Sequence, residues 1–304
     1  MCGIIGYIGH QKVGQVLFPA LARLEYRGYD SAGIATIHDG SISLLKESGK
    51  LTGLKKLAEQ TPLLGHLGIG HTRWATHGEP SRRNAHPHTD CTKKIAVVHN
   101  GIIENFEGLR RRLTGAGHVF ESETDTEVLA HLIEEYHLKE GRDLKTSVQL
   151  TVNNIEGNYA FCVISAAEKD RFIATRNGSP LVVGVGRGEN FIASDATAFL
   201  DYTREAIFLA DHQMVVLSKN EVEVFSGNGD SLKSLPVSID WDAKDASKEG
   251  FDHFMLKEIE EQPRVIETIS KARLDTVVHE AGFSSLPMGA DSPDVGMDYL
   301  SKGF

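Results

Sequence analysis

Apolar residues recur along the first fifty positions at spacings that predict both strands and helices. An uninterrupted apolar run over residues 2–8 predicts a short buried strand. The next apolar positions recur every three or four residues, which predicts a helix with one buried face. Two strands are predicted on either side of the turn pair Asp39-Gly40, over 31–38 and 41–47. The buried helix face comprises Val13, Val16, Leu17, Leu21 and Leu24.

The middle of the chain places polar segments between apolar ones. A helix is predicted over 51–60, and residues 67–90 begin as a strand and continue as a long polar loop. Residues 95–101 predict another apolar strand, which ends abruptly at an Asn-Gly pair. From Thr124 the apolar spacing predicts a helix with one buried stripe. That stripe comprises Val128, Leu129, Leu132, Ile133 and Tyr136.

Beyond about residue 157 the chain consists of short apolar runs between glycine, asparagine and proline, a pattern typical of β-strands. The glycine-rich string "GVGRGEN" lies between two of these runs and does not fit G-x-G-x-x-G, so it predicts a hairpin. Because strands and helices do not alternate regularly, their order favours an α+β fold over a doubly wound parallel sheet. The runs are 159–166, 171–176, 181–186, 190–195, 213–219 and 221–227.

The last sixty residues differ in composition from the rest. Residues 242–250 are polar and predict a linker, and residues 251–263 are amphipathic and predict a helix. The remaining residues are rich in glycine, serine and proline, so we expect them to be mobile. The sequence therefore predicts a main domain over 2–240 and a linker with a helix over 241–304.

Composition narrows the possible compartments and partners. The 304 residues are 40% hydrophobic and 24% charged, as in ordinary soluble proteins, and no apolar run is long enough to span a membrane. The start of the chain lacks the features of a signal peptide. A formal net charge of −10 gives no overall basic balance for binding nucleic acid. Three cysteines make no disulfide framework, so we expect a cytoplasmic protein. From the apolar runs and the net charge we expect neither a membrane nor a nucleic acid as partner.

Cys2, directly behind the initiator methionine, is a candidate nucleophile. If Met1 is removed, Cys2 carries both a thiol with a pKa of about 8.5 and an α-amine with a pKa of about 8. One residue then provides a nucleophile together with its general base. The alternative is a cysteine that happens to stand early in a strand.

Three further stretches could serve the same chemistry, and each has an ordinary structural alternative. Asn100 and Gly101 could donate an amide N–H and a backbone N–H to an oxyanion, or form a plain turn. Arg73 could bind a carboxylate with two nitrogens, or lie on the surface beside an aromatic anchor. Asp125 could bind an amine, or belong to a helix start in which Thr124 and Glu127 form a capping box.

One short run contains residue types that could bind a metal ion. His86, His88 and Cys91 occur at spacings that a metal ion could use, but the run lacks a convincing fourth ligand. We therefore expect neither a metal nor another cofactor.

Several stretches together resemble one known family. They are similar to the glutaminase domain of the glutamine–fructose-6-phosphate aminotransferases, which are class II glutamine amidotransferases, and the similarity extends to about residue 265. The amidophosphoribosyltransferases rank second, because they usually have Tyr-Ser where this chain has Trp74-Ala75. The stretches are "MCGIIGYIG", "LEYRGYDSAG", "HTRWATHGEPSRRNAHPH", "VVHNGIIEN", "SETDTEV", "NGSPLVVGVGRGENFIASD" and "HFMLKEIEEQP".

The resemblance implies a four-layer αββα N-terminal nucleophile hydrolase fold and hydrolysis of L-glutamine to L-glutamate and ammonia. It implies that Cys2 is the nucleophile and that Asn100 and Gly101 stabilise the oxyanion. It further implies that Arg73 holds the α-carboxylate of glutamine and Asp125 its α-ammonium group. The remaining implied residues are Trp74, Thr76 and His77 in a loop that closes over the substrate, and Arg27, which helps to fix the site.

In the family, the ammonia passes to a second domain that converts fructose 6-phosphate into glucosamine 6-phosphate. We expect that sugar-isomerase half to be missing from this chain, so a separate domain or subunit is a possible partner. The alternative is a non-catalytic remnant that only binds glutamine or a partner. The presence of every expected catalytic residue favours the glutaminase.

Overall fold

A computed structural model of the chain describes residues 2–240 together with Glu260 and Gln262. The chain divides into two units, Met1–Ala246 and Ser247–Phe304. Three predictions lie outside the described residues, namely the linker, the mobile tail and the helix over 251–263. Of that helix only the two helical residues Glu260 and Gln262 are described. Within the described part, no helix combines the length and apolar character needed to cross a bilayer.

Fifteen strands in the described part form two sheets in which all neighbouring strands are antiparallel. The strands are β1 (Gly3–Ile8), β2 (Ser31–His38), β3 (Ser41–Ser48), β4 (Leu67–Arg73), β5 (His88–Thr89), β6 (Ile95–Ile103), β7 (Gly157–Ser165), β8 (Arg171–Asn177), β9 (Val182–Val185), β10 (Asn190–Ala193), β11 (Glu205–Phe208), β12 (Met214–Ser218), β13 (Val222–Phe225), β14 (Ser231–Leu232) and β15 (Val237–Ser238). The first sheet has the order β15-β11-β9-β10-β1-β4-β2-β3, and the second has the order β14-β13-β12-β8-β7-β6-β5.

Helices cover the outer face of each sheet. They are α1 (Val13–Leu24), α2 (Leu51–Gln60), α3 (Phe106–Gly115), α4 (Glu127–Glu134) and α5 (Leu144–Val152). The apolar faces of α1 and α2 pack on the first sheet, and those of α3, α4 and α5 pack on the second. All five predicted buried residues of α1 are buried, because their spacing keeps them on one side of the helix.

The inner faces of the two sheets meet in an apolar core between the helical layers. Ile4 and Ile69 from the first sheet share one apolar cluster with Val98, Cys162 and Phe172 from the second. The alternation of side chains along each strand explains this, because one set of residues faces the opposite sheet and the other set faces the helices. The layers are helix, sheet, sheet and helix, so the predicted α+β αββα architecture is confirmed.

β1 lies inside the first sheet rather than at its edge. It pairs with β4 on one side, where Gly3 lies opposite Thr72, and with β10 on the other, where Ile5 lies opposite Ala193. The strand is buried along its whole length. Cys2 therefore directly precedes a buried interior strand of the sheet.

Most predicted strands and helices are confirmed, but two boundaries and one cap are wrong. The strand predicted to end at Asn100-Gly101 continues to Ile103, because its pairing with β7 is unbroken as far as Gly157. The helix predicted from Thr124 begins at Glu127, and no side chain caps it. Five short elements were missed by sequence analysis, namely β5, α5, β11, β14 and β15.

The proposed capping box between Thr124 and Glu127 is also wrong. The Glu127 carboxylate accepts hydrogen bonds from the backbone N–H groups of Glu121 and Ser122, each at 2.6 Å. The Thr124 hydroxyl contacts His88 Nε2 at 3.1 Å. By contrast, the hairpin predicted at "GVGRGEN" is confirmed, since this string connects the antiparallel strands β9 and β10.

Candidate active site

A cavity of about 290 Å³ opens beside the N-terminal end of β1. Eight of the nine residues that sequence analysis proposed for a glutamine site line it, and His77 does not. The strands explain part of the convergence, because Cys2 precedes β1 and Arg73 ends β4, its antiparallel neighbour, while Asn100 lies in β6 of the second sheet. The lining residues are Cys2, Arg27, Arg73, Trp74, Thr76, His86, His99, Asn100, Gly101, Ile102, Thr124, Asp125, Thr126, Ser179 and Pro180.

The Cys2 thiol is half-buried and hydrogen-bonded to the backbone of one residue. Its Sγ accepts from the Trp74 N–H at 3.2 Å and lies 3.4 Å from the Trp74 carbonyl oxygen. Burial raises the pKa of this thiol, and the Trp74 N–H and the guanidinium groups of Arg73 and Arg27 offset part of that rise. The thiol is therefore protonated at neutral pH and needs a base before it can act as a nucleophile.

Two side chains donate hydrogen bonds to the main-chain carbonyl oxygen of Cys2. Its carbonyl oxygen accepts a hydrogen bond from Asn100 Nδ2 at 3.0 Å and another from Arg27 Nε at 3.1 Å. The same guanidinium lies 3.5 Å from Asp195 Oδ2, so Arg27 is itself anchored. This arrangement holds the start of the chain in one position at the cavity.

Asn100 is oriented by a histidine that sequence analysis missed. His71 Nε2 lies 3.0 Å from Asn100 Oδ1 and 3.1 Å from the His99 carbonyl oxygen. Because both partners are oxygens, the Nε2 atom carries the proton and donates. Burial lowers the pKa of His71 to about 3, so the ring is neutral at physiological pH. The amide nitrogen of Asn100 is thereby directed toward Cys2.

Gly101 has a backbone conformation that excludes a side chain. Its φ is +121°, and a Cβ placed there would lie 2.0 Å from the carbonyl oxygen of Asn158 on β7. Only glycine fits both conditions. The residue lines the cavity directly after Asn100.

Arg73 and Asp125 bring opposite charges to the same cavity. The Arg73 guanidinium is buried and donates to the carbonyl oxygens of His77 and Gly78, the second at 3.0 Å. Burial lowers its pKa, while the charges of Cys2 and Asp125 act against that shift. Asp125 is buried as well, and its Oδ2 accepts the backbone N–H of Ile103 at 2.8 Å. A cation and an anion are thus both fixed at the cavity wall.

The segment after β4 supplies the other predicted residues. Trp74 is 46% exposed and packs edge-on against Tyr29, with ring centroids 5.7 Å apart. Thr76 lines the cavity, whereas the His77 ring packs against Phe106. His77 therefore contributes its carbonyl oxygen to Arg73 rather than its side chain to the cavity.

Sequence analysis missed several lining residues, namely His86, His99, Ile102, Thr124, Thr126, Ser179 and Pro180. A usable signal existed for some of them, because His99, Ile102, Thr124 and Thr126 adjoin predicted site residues in the chain. Ser179 and Pro180, which reach the cavity from the turn after β8, lie in the stretch "NGSPLVVGVGRGENFIASD", but nothing in it indicated a contact with this cavity.

Comparisons with known proteins identify the family of the domain that contains this cavity. A family model described as a glutamine amidotransferase domain matches residues 71–201. A protein of Pyrococcus horikoshii named glutamine–fructose-6-phosphate aminotransferase (isomerizing) is 51% identical over 267 residues, which are 88% of this chain and 44% of that protein. This chain contains a glutamine amidotransferase domain. An equally named protein of Thermus thermophilus is 47% identical over 97% of this chain and 48% of its own length. The chain thus spans about half the length of these curated relatives.

Solved structures extend the agreement to the fold. The glutamine phosphoribosylpyrophosphate amidotransferase of B. subtilis, solved with ADP and GMP, is 27% identical, with a TM-score of 0.64 over 74% of this chain and 49% of its own. A structure described as the allosteric regulatory enzyme of purine biosynthesis is 26% identical, with a TM-score of 0.65 over the same shares. Together with the αββα layers, they confirm the N-terminal nucleophile hydrolase fold of this glutamine amidotransferase.

Proposed function

We propose that this chain hydrolyses L-glutamine to L-glutamate and ammonia, with Cys2 as the nucleophile. The observation that carries the proposal is one small cavity that holds the Cys2 thiol, the Asn100 amide and the opposite charges of Arg73 and Asp125. A free amino acid needs one cation for its carboxylate and one anion for its ammonium group. The side-chain amide of glutamine would then extend toward the thiol.

The α-amine of Cys2 is the base in this proposal. Removal of Met1 leaves that amine on the same residue as the thiol, and a pKa of about 8 makes it partly neutral at working pH. The amine takes the thiol proton while Sγ attacks the amide carbon of glutamine. The high pKa that burial gives this thiol explains why a base in direct reach is needed.

The tetrahedral intermediate places a negative charge on the former amide oxygen. Asn100 Nδ2, oriented by His71, and the Gly101 N–H are the proposed donors to that oxyanion. Collapse breaks the carbon–nitrogen bond, and ammonia leaves with the proton held by the amine. Water then attacks the γ-glutamyl thioester, releasing glutamate and restoring the thiol.

The acceptor of the ammonia is proposed from the relatives. Their names point to amination of fructose 6-phosphate, which would require a sugar-isomerase part beyond the domain over residues 2–240, with 241–304 leading toward it. We place the protein in the cytoplasm, because its three cysteines are free.

The test of the proposed acceptor uses protein purified from its own cells. Glutamine-dependent conversion of fructose 6-phosphate to an amino sugar supports this acceptor, and ammonia release without amino sugar contradicts it.

The glutaminase itself is tested with Cys2→Ala. This variant should form no glutamate above background and should still bind glutamine, because Arg73 and Asp125 are unchanged. Cys162→Ala is the matched control, since Cys162 is buried between the sheets and should leave turnover in place. Mass spectrometry should locate an electrophilic glutamine analogue on Cys2, with Met1 absent. Wild-type turnover by Cys2→Ala would exclude the mechanism, and binding without turnover by the wild-type chain would indicate the non-catalytic alternative.

A further inference from the structure

Four side chains outside the candidate active site bring ligand-type atoms to one point. They are Cys91 in the turn between β5 and β6, His118 after α3, and His131 and Glu134 on α4. Cys91 is exposed and the other three are buried. This set could not be predicted from the sequence, because its members come from three separate segments. His86 and His88, which the sequence placed with Cys91, do not belong to it.

The distances among these atoms are those of ligands that share a small cation. The Nδ1 atoms of His118 and His131 lie 3.2 Å apart, and each lies 3.7 Å from Cys91 Sγ. Glu134 Oε2 lies 2.9 Å from the first and 3.1 Å from the second. Zinc bonds of about 2.0–2.1 Å to nitrogen or oxygen and about 2.3 Å to sulfur place tetrahedral ligand atoms about 3.3–3.6 Å apart.

The outer nitrogens of both rings face carboxylates. His118 Nε2 lies 2.5 Å from Glu135 Oε1 and 3.0 Å from Lys139 Nζ, and His131 Nε2 lies 3.6 Å from Glu127 Oε1. With an ion bound, the proton of each ring would stay on Nε2 beside its carboxylate, and the Nδ1 lone pair would point to the ion. Metal-ligating histidines usually have a carboxylate, carbonyl or water at this outer position.

We propose that Cys91, His118, His131 and Glu134 bind one zinc ion. Thiolate, imidazole and carboxylate are the ligand types that zinc takes, and four protein ligands make a closed site of the structural kind. The exposed Cys91 gives the ion a route of entry.

The site would join three segments that belong to the second sheet and the helices packed on it. The turn before β6 is joined to α4, and the residues from His118 onward are joined to both. This last segment leads to Ser122, whose N–H and hydroxyl bind Glu127, and to Asp125 in the cavity wall. The ion would therefore stabilise the domain and the segment that carries Asp125, without contacting the substrate.

Metal content is the first test. The 304-residue chain, produced with added zinc and dialysed, should contain one zinc ion per molecule by elemental analysis. Replacement by Co²⁺ should give the thiolate-to-cobalt charge-transfer band and the intense visible absorption of a tetrahedral site. A chain that holds no zinc, or a cobalt form without the thiolate band, would overturn the proposal.

Variants assign the ligands. Cys91→Ser and His131→Gln should each lose the bound zinc and the cobalt thiolate band. Cys162→Ala and His38→Gln are the matched controls, since Cys162 lies between the sheets and His38 is exposed, and both should keep the ion. Retention of the thiolate band by Cys91→Ser would exclude this cysteine as the ligand.

A third measurement covers variants that fold poorly. Removing the ion from the unchanged chain with a chelator should lower Tm by about 5–10 °C. The reference is the Tm of the same chain in free zinc at about 100 times its Kd. Zinc should restore Tm, and magnesium should not, because magnesium prefers oxygen ligands. An unchanged Tm after proven removal of the ion would contradict its structural role.

Discussion

At the scale of single residues, the proposed mechanism assigns substrate binding and the chemical step to different groups in the cavity. Arg73 presents a buried guanidinium, whereas Asn100 presents an amide that His71 orients beside Cys2. The first would contact glutamine in its ground state, and the second would contact charge that exists only after attack. The two residues should therefore affect different kinetic constants.

Substitution at these two positions tests that separation. Asn100→Ala should lower kcat by about 10²–10³ with little change in KM, as expected for loss of one oxyanion donor. Arg73→Lys keeps the charge but loses the paired nitrogens, and it should raise KM about ten- to hundredfold, since a hydrogen bond to a charged group is worth about 1.5–3 kcal/mol. Steady-state kinetics with glutamine distinguish the two. A change in KM alone for Asn100→Ala would refute its assigned role.

At the scale of elements, the junction of β6 and β7 has no room for a side chain at Gly101. Gly101→Ala should destabilise the domain by at least about 1–3 kcal/mol through backbone strain, with a further cost from the contact with Asn158. It should also lower turnover, because the residue adjoins Asn100. Urea unfolding and a glutaminase assay measure both effects.

Gly108→Ala on α3 is the matched control. A Cβ there meets no atom within 4 Å, and alanine favours the helix over glycine by about 1 kcal/mol. This variant should be as stable as the wild-type chain or slightly more stable, with unchanged turnover. Equal stability of the two glycine variants would contradict the steric argument.

Elements with many periodic apolar residues could be predicted from the sequence. The helix α1 and the strands β1, β7 and β8 are buried against neighbours, so tertiary packing reinforces their local pattern. The two-residue strands β5, β14 and β15 could not be predicted, because two residues show no periodicity and pairing with a neighbouring strand alone defines them. The end of β6 was misjudged for a related reason, since pairing with β7 overrides the turn preference of Asn-Gly.

The site could be anticipated only in part. Quoted motifs indicated Cys2, Arg73, Asn100 and Asp125, but not the tertiary contact between His71 and Asn100. The carbonyl role of His77 was likewise invisible, because a motif records side chains and this contact uses the backbone. The four-residue cluster around Cys91 exists only after α3, α4 and the turn before β6 have packed together.

At the scale of the whole molecule, a row of buried histidines makes stability depend on pH. His71, His86, His88 and His99 lie together where the two sheets meet at the cavity, and burial lowers the pKa of all four. In the unfolded chain each has a pKa of about 6.5. Their neutral form is therefore favoured by folding, and acid favours unfolding.

The free energy of unfolding should consequently fall as the pH drops below about 6.5, and for His71 this continues toward its folded pKa of about 3. Each histidine that stays neutral should contribute up to about 1.4 kcal/mol per pH unit. Urea unfolding at several pH values between 7 and 5 measures the slope. His88→Gln should flatten it, and exposed His38→Gln should leave it unchanged. An unaltered slope in His88→Gln would exclude that residue as a source.

The position of β1 inside its sheet has a consequence for biosynthesis. The ribosome makes β1 before the other strands of this domain, yet its second neighbour, Asn190–Ala193, emerges almost two hundred residues later. Until then the cavity around Cys2, the proposed nucleophile, is incomplete, so the nascent chain carries an exposed thiol. A domain that folds as a unit acquires its earliest residue's function only near the end of its own translation. A messenger RNA truncated before the codons for β10 would yield a chain that has Cys2 but lacks the cavity that limits access to its thiol.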